Sequence, residues 1–271
     1  MISVKGITKK YGSKTVVDDV SIDIEKGKIT SLIGPNGAGK STVISMITRL
    51  LDKNSGEVLL EGDNIFTQPH GELAKKITIL KQANHLELKI TVRELISFGR
   101  FPYSKGRLTE RDEEIIDEAI NYMGMKEFED RYIDELSGGQ RQRAYIAMTI
   151  AQDTEYIFLD EPLNNLDMKH SVQIMQILRR LCRDKNKTII IVIHDINFAS
   201  CYSDNIVALK DGKIAISGTA NEVITKEVLE GIYEMEINIE SICGHRICFY
   251  FDGVIEGDST ELAANYLIGN A

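Results

Sequence analysis

A glycine-rich loop between a strand-like run and a helix-like run is the feature that most constrains this chain. Residues 34–41 read GPNGAGKS, between the short strand predicted at residues 30–33 and apolar residues at helical spacing over 42–51. In the pattern GxxxxGK[ST], the glycines let backbone N–H groups surround phosphate oxygens at the positive end of the following helix. An ordinary glycine turn is the alternative, but the strand–loop–helix setting favours a nucleotide site.

Two side chains of this loop are suited to bind phosphate and metal. Lys40 supplies a point charge for the β- and γ-phosphates, and the Ser41 hydroxyl is suited to bind Mg²⁺. The residues expected to contact nucleotide here are Gly34, Pro35, Asn36, Gly37, Ala38, Gly39, Lys40, Ser41 and Thr42.

An acidic pair follows a second strand-like run. Residues 156–161 read YIFLDE, so Asp160 and Glu161 stand at the end of a buried strand. Adjacent acids at a strand end can point in different directions, which suits Asp160 to the metal and Glu161 to an attacking water. An apolar run ending in an acid is also a common strand exit; the phosphate loop favours the catalytic interpretation.

The order of the predicted elements indicates an α/β fold. Residues 20–24 alternate apolar and polar as in a half-buried strand, and apolar strands at 156–159 and 188–193 are separated by a predicted helix. Residues 87–151 are predicted to be mostly helical, with Thr109 and Asp112 capping one helix. We expect a catalytic core over 1–86 and 152–236, a helical subdomain over 87–151, and a tail over 237–271 packed on the core.

The segment LSGGQ at residues 136–140 completes a set of motifs. It precedes a predicted helix, so backbone N–H groups and the Ser137 hydroxyl can present a second anion-binding helix terminus. With GPNGAGKS before it and FLDE after it, the chain resembles the ABC (ATP-binding cassette) ATPase family. The resemblance implies a P-loop NTPase cassette with a RecA-like core, an antiparallel β subdomain and a helical subdomain.

The resemblance also implies roles for single residues. Tyr11 matches the aromatic that stacks on adenine, Gln82 the glutamine that contacts Mg²⁺ and the attacking water and senses the membrane partner, and His194 the histidine that contacts the γ-phosphate. Asp167 matches the aspartate of the loop crossing the dimer interface, although Asn164-Asn165 replaces the family's usual serine-alanine. Isolated residues of these types are more often structural, and only their positions support these roles.

The same resemblance implies a dimer with ATP and Mg²⁺ as cofactors. In the family, the signature residues of one cassette close over ATP held by the other; here these are Ser137, Gly138, Gly139 and Gln140. We therefore expect a homodimer, or a heterodimer with a related cassette, that sandwiches two nucleotides.

Composition limits the partners. The net charge of −9 argues against nucleic acid as a partner. The longest aliphatic run, residues 189–193, is far shorter than the roughly 20 residues of a membrane-spanning helix, so we expect separate permease subunits and a peripheral location on the cytoplasmic face of the membrane. The four cysteines show no paired spacing and are expected to be reduced.

Three segments are similar to one importer branch. ITVRELISFGRFPY, RELISFGRFPYSKGRLTE and IVIHDINFAS resemble ATPases of the iron-siderophore and cobalamin importer group, closest to those for petrobactin-type siderophores. This implies import of an iron-siderophore complex with the indirect help of a solute-binding protein. Residues 100–103 are expected to dock the permease, or else form an ordinary loop. Cobalamin or haem import, an exporter with a separate permease, and a stand-alone regulatory module are the alternatives.

Overall fold

The strands of the protein were located in a computed structural model that describes residues 1–81, 89–164 and 166–250. In chain order they are β1 (Ile2–Tyr11), β2 (Lys14–Ile24), β3 (Ile29–Ile33), β4 (Ser55–Leu60), β5 (Asp63–Asn64), β6 (Ile77–Leu80), β7 (Tyr156–Asp160), β8 (Thr188–Val192), β9 (Asn205–Lys210), β10 (Lys213–Gly218), β11 (Asn238–Ile242) and β12 (His245–Phe249).

The α-helices fall into a group near the centre of the chain and a group around the parallel strands. They are α1 (Lys40–Ile47), α2 (His70–Leu73), α3 (Val92–Ser97), α4 (Phe101–Ser104), α5 (Glu110–Tyr122), α6 (Gly138–Ala151), α7 (Met168–Lys185), α8 (Ile196–Tyr202), α9 (Ala220–Val223) and α10 (Lys226–Tyr233). None of the helices in the described ranges is long and apolar enough to cross a membrane.

The central sheet has the strand order β10-β9-β3-β8-β7-β6, parallel except for β10 at one edge. Both of its faces are covered. In β7, Ile157 and Leu159 join the apolar cluster of the helical region, whereas Tyr156 and Phe158 join the cluster on the opposite face. A strand buried on both sides reads as a continuous apolar run, which is why YIFL was recognisable from sequence.

A second, antiparallel sheet has the order β2-β1-β4-β5. Val20, Ile22 and Ile24 of β2 are buried, as their alternation with polar residues predicts. Their side chains pack with α1 and the central sheet in one apolar cluster. The expected α/β fold with an antiparallel β subdomain is therefore confirmed.

The helical region contains α3, α4, α5 and α6 with short 3₁₀ turns. Thr109 caps α5 in a reciprocal arrangement with Asp112, as the sequence predicts. The helix after the glycine loop is shorter than the periodicity predicts, because Arg49 adopts a positive φ of 58° and ends it near Thr48. Leu50 accordingly lies outside the helix and is 54% exposed.

The end of the described chain forms the hairpin of β11 and β12. The sequence suggests a strand at residues 247–251 but not its partner, because residues 238–242 are mostly exposed and show no clear apolar alternation. Cys248 and Ile239 of the hairpin pack in an apolar cluster with α8, α9 and α10. The proposed domain boundaries, including a tail over 237–271, remain predictions.

Candidate functional site

The phosphate loop has a backbone that only glycine adopts easily. Gly34, Gly37 and Gly39 have φ values of 136°, 81° and 96°. At Gly34 there is no space for a side chain either, because an added Cβ would lie 2.1 Å from the carbonyl oxygen of Leu209. These glycines let the chain turn directly from β3 into α1.

The start of α1 is arranged to receive an anion. Gly39 occupies the N-cap position without a side-chain hydrogen bond, and no acid lies in the first turn. The backbone N–H groups there and the helix dipole therefore favour negative charge. The ammonium of Lys40 donates to the carbonyl oxygens of Gly34 at 2.7 Å and Pro35 at 2.9 Å. Two of its three protons are thus directed to the loop, and one remains for a phosphate oxygen.

Burial changes the ionisation of the charged groups around this loop. Lys40 is 5% exposed, and its burial lowers the pKa of the ammonium against the opposing influence of Glu161 and Asp160. Asp160 is 4% exposed, and its burial raises the pKa of the carboxyl, while the hydrogen bond from Ser41 lowers it. Perturbed, buried ionisable groups in a cleft are typical of functional sites.

Ser41 and Asp160 meet although 119 residues separate them. The Ser41 hydroxyl donates to Asp160 Oδ1 at 2.9 Å. The sequence assigned both residues to one metal ion, and the structure brings their oxygen atoms into contact. The metal role itself remains a prediction.

The Glu161 carboxylate contacts the side chains of His194 and Asn164. His194 Nε2 lies 2.7 Å from Glu161 Oε1, and the Asn164 amide donates to Glu161 Oε2. Glu161 has a positive φ of 54°, an unusual backbone conformation for a residue other than glycine, and its carboxylate has different partners from that of Asp160, which contacts Ser41. The two adjacent acids thus have different partners, in line with the different roles that the sequence predicts for them.

Two adjoining pockets share Ser41 and Thr42. One, of about 170 Å³, is lined by Val16, Asn36, Gly37, Gly39, Lys40, Ser41, Thr42 and Glu161. The other, of about 420 Å³, is lined by Tyr11, Ser41, Thr42, Ser45, Leu50, Leu51, Lys81 and Asp160. Tyr11 is 53% exposed, with Lys9 Nζ 5.1 Å from its ring centre. An exposed ring beside the loop is available for stacking on a base.

The signature segment forms a separate part of the surface. Ser137 caps α6, since its hydroxyl accepts from the Gln140 backbone N–H while the Gln140 side chain accepts from the Ser137 backbone N–H. Gly138 and Gly139 form the first turn of this helix. Within the described residues, no hydrogen bond joins Ser137–Gln140 to the phosphate loop.

Asp167 caps the next long helix and lies near the signature segment. Its carboxylate accepts from the backbone N–H of His170 at 2.8 Å and contacts His170 Nδ1 at 2.8 Å. Both hydrogen bonds lower the pKa of Asp167, and the one from the backbone N–H has the larger effect. An added Cβ at Gly139 would lie 3.3 Å from the His170 ring, so glycine allows α6 and α7 to approach closely.

Strand order explains how residues from distant segments converge. Strand β8 lies between β3 and β7, and the carboxyl ends of parallel strands meet at one edge of the sheet. His194 follows β8 and therefore lies between the phosphate loop after β3 and Glu161 after β7. Gln82 and Asn165 lie outside the described residues.

Two residues that contact this site were not assigned a role from the sequence. Asn164 departs from the family pattern in sequence, and its amide contacts Glu161. Tyr233, about 200 residues from the loop, accepts a hydrogen bond from the Gly34 backbone N–H at 3.0 Å. No local motif marks Tyr233, because its partner is a backbone atom.

Comparison with known proteins gives consistent matches. Residues 17–164 match the family model described as "ABC transporter". The chain is 58% identical over 251 residues to the petrobactin import ATP-binding protein YclP of Bacillus subtilis (strain 168), covering 93% of this chain and 100% of the relative. It is 52% identical over 239 residues to the petrobactin import ATP-binding protein FatE of Bacillus anthracis, covering 88% and 96%.

A solved structure shares the fold. The dimeric post-hydrolysis state of the ATP-binding cassette MJ0796, bound to ADP and Pi, aligns with a TM-score of 0.72 at 31% identity. The alignment covers 81% of this chain and 99% of that one. The expected cassette fold is thereby confirmed.

Proposed function

This chain belongs to the ABC transporter family as an ATP-binding, ATP-hydrolysing subunit, and we propose that it energises import of an iron-siderophore complex. The observation that carries this proposal is the 58% identity to a petrobactin import ATP-binding protein over 93% of the chain. The transported chelate does not touch this subunit in the proposed arrangement, so its class is taken from the relatives.

In the proposed hydrolysis, ATP phosphates lie on the backbone N–H groups of the phosphate loop and on Lys40. The Glu161 carboxylate accepts a proton from, or orients, the water that attacks the γ-phosphate. His194 and Asn164 hold that carboxylate by one oxygen atom each, which fixes its direction before the reaction. Tyr11 provides an exposed ring for adenine.

A magnesium ion fits the oxygen atoms at this site. The Ser41 hydroxyl and the Asp160 carboxylate lie 2.9 Å apart, and oxygen donors of this kind suit Mg²⁺. Bound there, the ion would neutralise phosphate charge and favour the ionised form of Asp160. Gln82 is the third proposed ligand, from the sequence alone.

A cassette dimer is part of the proposal. Ser137 to Gln140 and Asp167 lie on a surface that makes no hydrogen bond to the phosphate loop of the same chain within the described ranges. Their motifs match family residues that act across the dimer, and the related MJ0796 cassette was solved as a dimer. We propose a homodimer in which each chain's signature segment covers the ATP of its partner.

An exposed aromatic strip supports a docking site for separate permease subunits. Phe98, Phe101 and Tyr103 are 48%, 60% and 38% exposed on the helical region. The Tyr103 hydroxyl donates to the Lys75 carbonyl at 3.3 Å, which places the strip beside α2. A pocket of about 310 Å³ near α2 is lined partly by Leu73, Ile77 and Ile79. An apolar segment from a permease is the proposed occupant, at the cytoplasmic face of the membrane.

Phe101→Ala tests the docking proposal. The variant should retain the ATPase rate of the isolated chain and lose most of the stimulation seen with permease in lipid vesicles, because an exposed ring contributes binding area and no core packing. Ile242→Ala is the control, since Ile242 is also exposed, at 47%, but lies on the β11–β12 hairpin. Equal stimulation of wild type and Phe101→Ala contradicts docking at the strip.

Uptake measurements test the transported class. A deletion strain should lose uptake of ⁵⁵Fe bound to a petrobactin-type catecholate siderophore and recover it with the wild-type gene but not with a Glu161→Gln gene. A ferric hydroxamate is tested in parallel to define the chelate class. Unchanged uptake of all iron chelates in the deletion strain eliminates the siderophore proposal.

A further inference from the structure

The first residue of the phosphate loop is fixed by a side chain from the end of α10. The Tyr233 hydroxyl accepts a hydrogen bond from the Gly34 backbone N–H at 3.0 Å. Gly34 has a φ of 136°, where glycine has wide conformational freedom. A partner for its N–H group therefore restricts the loop at the point where it leaves β3.

Tyr233 is itself held firmly. Leu229 and Ile232 of α10 are 0% and 3% exposed. The Lys210 ammonium, at the end of β9, donates to the Gly231 carbonyl at 2.7 Å and to Glu234 at 2.6 Å. The preceding residue of β9 is Leu209, whose carbonyl oxygen lies against Gly34. Helix α10 and the loop are thus anchored to the same strand end.

The β11–β12 hairpin packs in the same apolar cluster as Tyr233. Tyr233 packs with the apolar cluster that includes Cys248 and Tyr250, and burial raises the pKa of its hydroxyl to about 12. The hydroxyl is therefore protonated and neutral at physiological pH, and its oxygen atom accepts the hydrogen bond from Gly34.

The hairpin is also attached to the helix that follows His194. The Asn197 side chain donates to the Cys248 carbonyl at 3.2 Å and accepts from the Cys248 N–H at 2.7 Å. The Ser200 hydroxyl donates to the Arg246 carbonyl at 2.6 Å. One C-terminal unit, formed by α10 and the hairpin, thus contacts both the phosphate loop and helix α8.

We infer that Tyr233 is a positioning residue for ATP binding, which keeps the phosphate loop in its cradle conformation. This inference rests on the proposed use of the loop for ATP phosphates. Without the hydroxyl, the Gly34 N–H loses its partner and the loop samples conformations that cannot surround phosphates. ATP then binds only the smaller fraction of molecules whose loop has the correct conformation. The apparent Kd rises in inverse proportion to that fraction.

Tyr233→Phe tests this role because it removes one oxygen atom and keeps the ring. Tyr156→Phe is a matched control: the Tyr156 hydroxyl accepts a hydrogen bond from the N-terminal ammonium at 2.8 Å, and burial raises its pKa to about 12 as well. Both changes are made in a Glu161→Gln background, and the Kd for Mg·ATP is measured by calorimetry. Amide hydrogen exchange of residues 34–40 is measured without nucleotide.

We expect Tyr233→Phe to raise the Kd about two- to tenfold, as for loss of one hydrogen bond, and to speed exchange in the loop. Tyr156→Phe should leave both unchanged. A Kd within twofold of the parent, or an equal rise in both variants, overturns the inference. If the parent protein binds no ATP, the proposed function has failed, and the two failures are therefore distinguishable.

Discussion

Glu161→Gln separates the chemical role of this side chain from its role in structure. Glu161 offers one oxygen atom to His194 and the other to Asn164. A glutamine can keep both contacts: its oxygen accepts from Asn164, and its NH₂ group donates to His194 Nε2 when the histidine proton is on Nδ1. The substitution therefore allows both contacts to be kept, and it removes the negative charge together with the ability to accept a proton.

The expected loss follows from that one missing function. Removing a general base lowers rates by about 10²–10⁴-fold, which corresponds to roughly 2.7–5.4 kcal/mol of transition-state stabilisation. ATP binding should persist because Lys40 and the loop backbone are unchanged, so the variant should accumulate as an ATP-bound dimer.

Phosphate release measures the rate, and size-exclusion chromatography with and without ATP measures the dimer. The control is Glu118→Gln, which changes an exposed carboxylate paired with Lys185 on the surface. It should retain the wild-type rate. A kcat for Glu161→Gln within tenfold of wild type would refute the assignment of Glu161 as the base.

Two further predictions concern other contacts of the structure. Asn164→Ala should lower kcat about three- to tenfold with little change in KM, because it removes a contact that orients Glu161. A steady-state titration with ATP checks this, and an unchanged kcat contradicts it. Asp112→Ala should lower the free energy of unfolding by about 3–5 kcal/mol, because it leaves Arg100, 5% exposed, without its carboxylate. Burial raises the pKa of Asp112, but hydrogen bonds from Thr109 and Arg100 outweigh it and hold that pKa below its usual range. The stability difference should thus be full above about pH 4 and shrink as pH falls through the lowered pKa, a trend that urea unfolding at several pH values can test.

Much of the fold was accessible from sequence because its signals are local. The apolar run of β7 and the alternation in β2 each reflect the burial of that strand alone. Likewise, Thr109 and Asp112 cap a helix from positions three residues apart. The end of α1 was not accessible, since it depends on the positive φ of Arg49, and Arg49 donates to the carbonyl oxygens of Ile65 and Gln68 through a tertiary contact.

The candidate site was predictable in its members but not in its arrangement. Motifs identified Lys40, Asp160, Glu161 and His194, yet adjacency of Glu161 and His194 requires β8 to lie beside β7, which local patterns do not specify. Tyr233 could not be found at all, because its contact is with a backbone N–H group nearly 200 residues away. Residues whose side chains take part in the chemistry belong to recognisable motifs. A residue that only contacts a backbone group, as Tyr233 does, belongs to none.

The charge of the site shows why the net charge of −9 says little about ATP affinity. Lys40 and Lys81 line the two adjoining pockets together with Asp160 and Glu161, so their formal charges cancel. Attraction for phosphate therefore depends on groups that act over a few ångströms: the oriented N–H groups of the loop, the uncapped start of α1, Lys40 and the proposed Mg²⁺. Acids farther than about 10 Å from the bound phosphates are largely screened at 0.1 M salt and contribute little. The affinity of this site depends on the shape of its backbone, which is the property that Gly34 and its hydrogen bond to Tyr233 control.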